Sequence, residues 1–355
     1  MRKPFVLIVA STMLLAACGG GGSTTTASTT TTVAPAVSTT DVDLDAATTT
    51  VASTTPTAQE AGLADMTPGI MLGASIYPKG EINDASRRAA FEAHEAAIGR
   101  PLAIANEFFP FDKDWKIERL QWHLDEGRAL MVSWNGTHAD RMLDGSVDEL
   151  IRQRARWTAD LGETIIMRFF WEPDAAKGAE WGYHEDPTRY HDVWRHIRTI
   201  FEDEGATNAH WLWTPTAWHF MTGSAVDFYP GDDVVDLIGV DGYLWSPCIG
   251  AEETATDVFG PFLDWAATKS QPIVVAEWGA DEDGGTGSKA RFVEQTLELF
   301  AANDRVIAMI AFDADDPGGR GCNFRIDSSA AALDAYVELA NDPRLQGGAG
   351  LVGTL

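Results

Sequence analysis

Two apolar, strand-like runs each end in a glutamate: Thr164-Ile165-Ile166-Met167-Arg168-Phe169-Phe170-Trp171-Glu172 and Pro272-Ile273-Val274-Val275-Ala276-Glu277-Trp278-Gly279. A carboxylate at the end of a buried strand is costly to place there unless it is paired or does chemistry. Retaining hydrolysis of a glycosidic bond needs two carboxyls about 5 to 5.5 Å apart, one to protonate the leaving oxygen and one to attack the anomeric carbon. Strand alternation places Arg168, Phe170 and Glu172 on one face, with Arg168 a layer below Glu172. Phe170, Trp171 and Pro173 surround Glu172 with apolar groups, which would raise its pKa and suit an acid/base. Glu277 has to stay ionised, and Tyr243 is placed to donate a hydrogen bond to it. Arg168 is expected nearer Glu277. The competing reading is a buried arginine–glutamate pair with an unrelated second glutamate.

Aromatic residues supply the second signal. Of 13 tryptophans, Trp134, Trp171, Trp213, Trp245 and Trp278 fall at or just after strand ends, with Trp181 and Trp218 in the loops that follow. Indole faces stack on the C–H faces of sugar rings. Arg168, Trp171, Trp181, Trp213, Tyr243, Trp245 and Trp278 are therefore the expected substrate-binding residues. Trp194, on the apolar stripe of a helix, reads as core. His184-Glu185-Asp186 and His191 fit no metal-ligand spacing, and no metal is expected there. Asp241, Asp281, Glu282, Asp313, Asp315 and Asp316 lie at or beyond strand ends and are candidates for binding hydroxyls.

Eight apolar, β-branched or aromatic runs must position these groups, near 69–76, 102–109, 129–135, 164–172, 210–216, 237–243, 272–279 and 307–314. Helical signatures lie between most of them. One opens at Asp186-Pro187, continues through Tyr190, Val193, Trp194, Ile197, Ile200 and Phe201, and stops at Gly205. Another opens on the capping box Ser146-Val147-Asp148-Glu149 and stops at Gly162. After the fifth run, Gly223, Pro230 and Gly231 break any long helix. The pattern predicts a (β/α)8 TIM barrel over residues 66–343, with its site at the strand C-termini. A doubly wound sheet would need a glycine-rich phosphate loop after an early strand, and Ser75-Ile76-Tyr77-Pro78-Lys79-Gly80 offers none.

Residues 1–18 read as a lipoprotein signal peptide: Arg2 and Lys3, an apolar run from Phe5 to Leu15, then Leu15-Ala16-Ala17-Cys18, which resembles a bacterial lipobox. This implies a lipid on Cys18, a domain outside the cytoplasm, and membrane contact through that lipid alone. Residues 19–65 are rich in Thr, Ser and Ala and are expected to form a disordered tether spanning roughly 35 to 40 Å. Residues 344–355 read as a flexible tail. In an oxidising compartment Cys248 and Cys322 are expected to pair. The formal net charge of -27 argues against nucleic acid and other polyanions as partners but leaves neutral polysaccharide open. The domain is expected to be monomeric.

Arg168-Phe169-Phe170-Trp171-Glu172, Trp194-Arg195-His196-Ile197, Gly205-Ala206-Thr207-Asn208, Trp211-Leu212-Trp213-Thr214-Pro215, Tyr229-Pro230-Gly231-Asp232-Asp233, Gly239-Val240-Asp241-Gly242-Tyr243 and Ala276-Glu277-Trp278-Gly279 together resemble glycoside hydrolase family 26. The resemblance implies a (β/α)8 barrel, retention of configuration, no cofactor, and endo-acting cleavage of a β-linked polysaccharide, most often β-1,4-mannan. It places the acid/base on Glu172, the nucleophile on Glu277 and the nucleophile's tyrosine on Tyr243, and Trp181 resembles the tryptophan that follows the acid/base segment. The family's histidine just before the acid/base and asparagine two residues after it are here Trp171 and Asp174. These departures leave mixed-linkage β-glucan and β-1,3-xylan within reach of the scaffold. A non-catalytic carbohydrate-binding lipoprotein is the reading from another class.

Overall fold

The computed structural model describes residues 68–355 apart from 247, 251–252, 283–286 and 316–320. Cys18, the signal segment, the tether and Asp316 thus lie outside the described residues. Parallel strands follow one another around a closed barrel: β1 (Met71–Ile76), β2 (Ile104–Phe109), β3 (Ala129–Trp134), β4 (Ile165–Phe169), β5 (Ala209–Trp213), β6 (Leu237–Leu244), β7 (Ile273–Ala280) and β8 (Val306–Asp313). β8 closes on β1 in register from Met71 opposite Ala308 to Ile76 opposite Asp313. The strands fall where the eight runs predicted them.

The helices α1 (Asp84–Ile98), α2 (Ile117–Asp125), α3 (Ala139–Leu143), α4 (Asp148–Leu161), α5 (Ala176–Glu180), α6 (Thr188–Asp203), α7 (Ala217–Thr222), α8 (Ala255–Ala266), α9 (Ser288–Ala301) and α10 (Ala330–Ala340) fill the crossovers. In α6 the apolar stripe from Tyr190 to Phe201 is buried, and the Asp186 carboxylate accepts from Thr188 N at 3.1 Å. The capping box foreseen for α4 does not form. Val147 holds the N-cap without a side-chain bond, and Ser146 Oγ instead donates to Arg141 O at 3.3 Å. Asp148 and Glu149 still place negative charge in the first turn of α4, where the helix dipole favours it.

Alternation sorts each strand into two cores. On β4, Ile165, Met167 and Phe169 face the layer between strands and helices, whereas Ile166 joins Met71, Ile104, Met131, Leu212, Val274 and Ile310 inside the barrel. That interior floor is closed by the end of the chain. Residues 344–355, expected as a flexible tail, form 3-10 turns over Pro343–Leu345 and Ala349–Thr354, and Val352 is buried in the interior cluster. Ile70 N donates to Arg344 O at 2.8 Å and Gly347 N to Ile70 O at 3.1 Å. The glycine content that suggested disorder serves close packing here: a Cβ on Gly347 would lie 2.4 Å from Gly69 O.

A charge placed in this plug has no partner in the apolar floor. Val352→Asp is expected to lower the unfolding free energy by about 3 kcal/mol or more. The measurement is the urea midpoint, and an unchanged midpoint would show the closing turns to be dispensable.

Candidate active site

Above the apolar floor the inward positions turn polar. Asn106 Nδ2 donates to Ser75 Oγ at 2.8 Å, and Ser133 Oγ donates to Asn106 Oδ1 at 2.7 Å. The Arg168 guanidinium, fully buried, completes the layer. Its Nη1 donates to Ser133 Oγ at 3.3 Å and to Glu277 Oε1 at 2.5 Å, and its Nη2 donates to Asp241 Oδ2. Burial pushes the Asp241 carboxyl well above its ordinary pKa against the pull of Arg168. The second Glu277 oxygen accepts from Tyr243 OH at 2.5 Å.

Glu277 reaches this position through a β-bulge. Val240 pairs with Val275 but Asp241 pairs with Glu277, and on the other side Val275 pairs with Met309 and Trp278 with Ala311. Strict alternation from the interior residue Val274 would send Glu277 outward. The extra residue turns it inward and swings Trp278 onto Tyr336, ring centroids 5.4 Å apart, in the outer layer.

The β4 end is also irregular. The strand stops at Phe169, and Phe170 (φ 40°) and Glu172 (φ 52°) adopt left-handed backbone that bulky residues rarely hold. Each such residue costs on the order of 1–3 kcal/mol, so the surroundings must enforce it. Phe170 N donates to Trp134 O and Glu172 N to Thr214 O, both at 2.8 Å. Contrary to simple alternation, Phe170 does not share the face of Glu172. Its ring packs outward on Trp181, Tyr183 and Tyr190, over Gly136, where an added Cβ would lie 2.7 Å from the ring. Among the described residues the half-buried Glu172 carboxyl makes no hydrogen bond to a protein group. Burial, then the charges of Glu277 and Asp174, push its pKa up to about 8, against a smaller opposing pull from Arg168.

An aromatic arc rims the same mouth. Trp171 meets Phe108 (centroids 5.1 Å), which meets Tyr77 (6.2 Å), then Phe312 (5.6 Å), Tyr243 (5.8 Å), Trp245 (5.4 Å) and Phe324 (5.1 Å). Trp171, Phe108, Tyr77, Tyr243 and Trp245 keep part of their surface open. Trp171 also lies against Arg168, 5.5 Å from its guanidinium carbon to the ring centroid. The structure therefore brings Arg168, Trp171, Tyr243 and Trp245 together with Glu277. It removes Trp213 and Trp278 from the expected substrate-binding set: both are fully buried outside the barrel, Trp213 against Phe220, Tyr229 and Trp265. Alternation from the interior residue Leu212 points Trp213 away from the mouth, and the β7 bulge does the same for Trp278. Trp181, half-buried, packs behind Phe170 rather than in the arc.

Sequence reasoning missed Tyr77, Phe108, Phe312 and Phe324 because attention fell on tryptophan. The signal for Tyr77, Phe108 and Phe312 was their shared inward parity at the ends of β1, β2 and β8; Phe324, in the loop after β8, had none. It also missed Asn106 and Ser133, polar residues at inward positions of otherwise apolar runs. Of the candidate hydroxyl binders, Asp313 is held by His94 Nδ1 at 2.7 Å and by Arg325, and Asp315 pairs with Arg325. Asp281 accepts from Cys248 N and Asn323 N, and Glu282 from Ser328 Oγ. Cys248 and Cys322 are joined by a disulfide, Cα–Cα 5.3 Å. Among the described residues the one acidic-sulfur trio with metal-like spacing is Cys248, Asp281 and Cys322, whose sulfurs are bonded to each other. No described helix is long and apolar enough to cross a membrane.

Residues 110–272 match the profile of glycosyl hydrolase family 26. Endoglucanase H of Acetivibrio thermocellus is 28% identical over 263 residues, which cover 70% of this chain and 28% of that protein. The chain thus spans little more than a quarter of that curated relative's length. Among solved structures, the catalytic domain of an endo-β-1,4-mannanase of a Bacillus species aligns with TM-score 0.59 and 16% identity over 83% of this chain and 93% of that one. A β-mannanase of Bacteroides ovatus aligns with TM-score 0.59 and 14% identity over 81% and 94%. A Cellulomonas fimi endo-β-1,4-mannanase aligns with TM-score 0.57 and 17% identity over 81% and 75%. In fold, the chain is a (β/α)8 barrel like those of the mannanases it aligns with.

Proposed function

We propose that this chain is a retaining, endo-acting β-glycanase in which Glu172 is the acid/base and Glu277 the nucleophile. The observation that carries the assignment is the asymmetry of the two carboxyls. Glu277 accepts hydrogen bonds from Arg168 and Tyr243 on its two oxygens, which orients a carboxylate for attack. Glu172 has no such donors and, with its pKa raised to about 8, carries a proton at neutral pH. Glu172 gives that proton to the glycosidic oxygen as Glu277 attacks the anomeric carbon. The C–O bond to the leaving sugar breaks and a glycosyl ester forms on Glu277.

The same pairing explains the second step. The Glu277 charge is one reason Glu172 holds its proton, and esterification removes that charge. Glu172, now deprotonated and with a lower pKa, takes a proton from water as that water attacks the anomeric carbon; the bond from that carbon to Glu277 breaks and the Glu277 carboxylate is released. Two inversions leave the configuration retained. The aromatic arc supplies flat apolar faces for sugar rings on one side of the mouth, and its open members make an elongated chain the fitting substrate.

β-1,4-Mannan is the first substrate, in line with the mannanases that share the fold. A second reading, β-glucan, is favoured by Trp171 in place of the family's histidine and by the higher identity to a protein named an endoglucanase. Export and anchoring through Cys18 are supported by Leu15-Ala16-Ala17-Cys18 and by the disulfide, which persists in oxidising compartments. An acidic domain then meets neutral polysaccharide at the cell surface as a monomer, without cofactor or nucleic acid.

The full chain is expected to release reducing ends from glucomannan, galactomannan or mixed-linkage β-glucan with retained anomeric configuration. Glu277→Ala is expected to lose roughly a thousand-fold or more of that rate with its fold intact. Inverted product, or full activity in Glu277→Ala, would overturn the proposal. Activity should also fall as pH rises through about 8, where Glu172 loses its proton.

Stability gives an independent check. Below the unfolded-state pKa near 4.5 the carboxyl is protonated in both states and contributes no pH dependence. As pH rises from there to about 8 the unfolded chain ionises first, so the folded state loses stability relative to it. Glu172→Gln removes that loss and is expected to stabilise the chain by on the order of 1–3 kcal/mol at pH 9, with a gain near zero at pH 4. Denaturant melts at the two pH values decide it, and a gain independent of pH would contradict the raised pKa.

A further inference from the structure

We infer that Asp174 is a positioning residue for Glu172, a carboxylate clamp that fastens the β4 loop to the end of β5 and faces the acid/base with a fixed negative charge. The inference rests on the acid/base reading of Glu172 given above. Asp174 is 1% exposed, and its acceptors are spent on one neighbour: Thr216 N donates to Oδ2 at 3.0 Å, and Thr216 Oγ1 donates to Oδ2 at 3.2 Å. His219 Nδ1 lies 3.4 Å from the same oxygen and 2.6 Å from Thr216 Oγ1.

Thr216 is itself anchored. It caps α7 by accepting from His219 N, and it bridges to Asp241 in β6, whose N–H donates to Pro215 O at 3.1 Å. Asp241 is the carboxylate bound to Arg168, which holds Glu277. A continuous set of bonds thus runs from Asp174 through Thr216, Asp241 and Arg168 to Glu277, fixing the two proposed catalytic carboxyls relative to one another.

The segment between the clamp and β4 is the one that needs fixing. Glu172 sits in left-handed backbone, held before by its N–H on Thr214 O and after by Ala175 N on Glu172 O at 3.0 Å. Pro173 follows directly, its carbonyl accepting from His184 Nε2 at 3.1 Å and packed so close to Gly178 that a Cβ there would lie 1.7 Å away. Among the described residues, removing the Asp174 anchor leaves the bond from Glu172 N to Thr214 O as the tie between that turn and the β5 end. An amide at this position would keep an acceptor but not the charge. The titratable and charged groups around Glu172 are Glu277, Asp241, Tyr243, Arg168 and Asp174, with His219 behind Asp174. Removing the Asp174 charge leaves Arg168 less opposed.

The test compares Asp174→Ala and Asp174→Asn in the full chain. Asp174→Ala is expected to lower kcat roughly 10- to 100-fold with KM changed less than about 3-fold. Asp174→Asn, of the same shape, is expected to keep most of kcat at pH 5 while its alkaline limb moves roughly half a unit or more toward acid. A kcat and pH profile identical to the parent in both variants overturns the inference. If Asp174→Ala does not fold, Asp174→Asn decides. A carbon-13 titration of the Glu172 carboxyl, assigned by its loss in Glu172→Gln, reads the same charge without turnover. A midpoint unmoved by Asp174→Asn overturns the clamp, whereas a moved midpoint in a chain that hydrolyses nothing upholds it and sinks the glycosidase reading instead.

Discussion

The buried guanidinium of Arg168 is the constraint around which the mouth of this barrel is arranged. A fully desolvated cation is untenable without partners, and removing one partner of such a set costs several kcal/mol. Arg168 therefore requires Asp241 and Glu277 on the inward faces of β6 and β7, and Ser133 on β3. A lysine would not serve, since two carboxylates and a hydroxyl are met by the planar fork of one guanidinium. The need to face Arg168 is also what the β7 bulge satisfies, because a regular strand would have turned Glu277 into the helix layer. Ion pairing here is less a source of stability than of position.

Position has a second cost at the β4 end. Phe170 and Glu172 in left-handed backbone are strained, and the strain is offset by packing that lies outside the site: Phe170 in a pocket of Trp181, Tyr183 and Tyr190, with a glycine beneath. This explains why Phe170, expected on the same face as Glu172, packs away from it. The Glu172 pKa is raised by burial, by the Glu277 charge from β7 and by Asp174 two residues on. Local strain backed by remote packing is the expected signature of a preorganised catalytic group.

The barrel was legible in the sequence because β-branched runs and helical stripes recur with a period that only a closed or wound α/β fold explains, and α6 matched its predicted stripe residue for residue. The two glutamates were legible because ionisable groups at strand ends stand out against apolar runs. What hid was whatever broke the local rule. The bulge at Glu277 leaves no mark in composition. Trp213 and Trp278 looked like subsites because both stand at strand ends; alternation along β5 turns Trp213 outward, whereas the parity of Trp278 is undefined until the β7 bulge is known. The closing turns looked disordered because Gly-rich sequence means either freedom or close approach, and only the neighbour at Gly69 distinguishes them. Asp174 was visible as a departure from the family pattern, but its bond to Thr216 is long-range and has no sequence signature.

The rim repeats the same logic on the other side of the mouth. The loops after β6 and β8 carry Trp245 and Phe324, and without restraint such loops would move independently. The disulfide between Cys248 and Cys322 joins them, and Asp281 accepts from the backbone of both. Lys289, buried on α9, donates to Asn323 O, Arg325 O and Ser328 Oγ, each at 2.8 Å, tying the second loop down. Burial lowers the Lys289 pKa to about 8, so this strut is strongest where the ammonium is intact, on the acid side of the pH at which Glu172 also keeps its proton. One wall of the mouth is thus aromatic and covalently stapled, and the facing wall is polar and clamped through Asp174 and Thr216. On the proposed function, a glycan chain in the mouth would meet these stacking faces and the proton donor together. Both walls are cross-tied by bonds already present in this structure, the arrangement that lets binding free energy of a substrate be spent on the transition state.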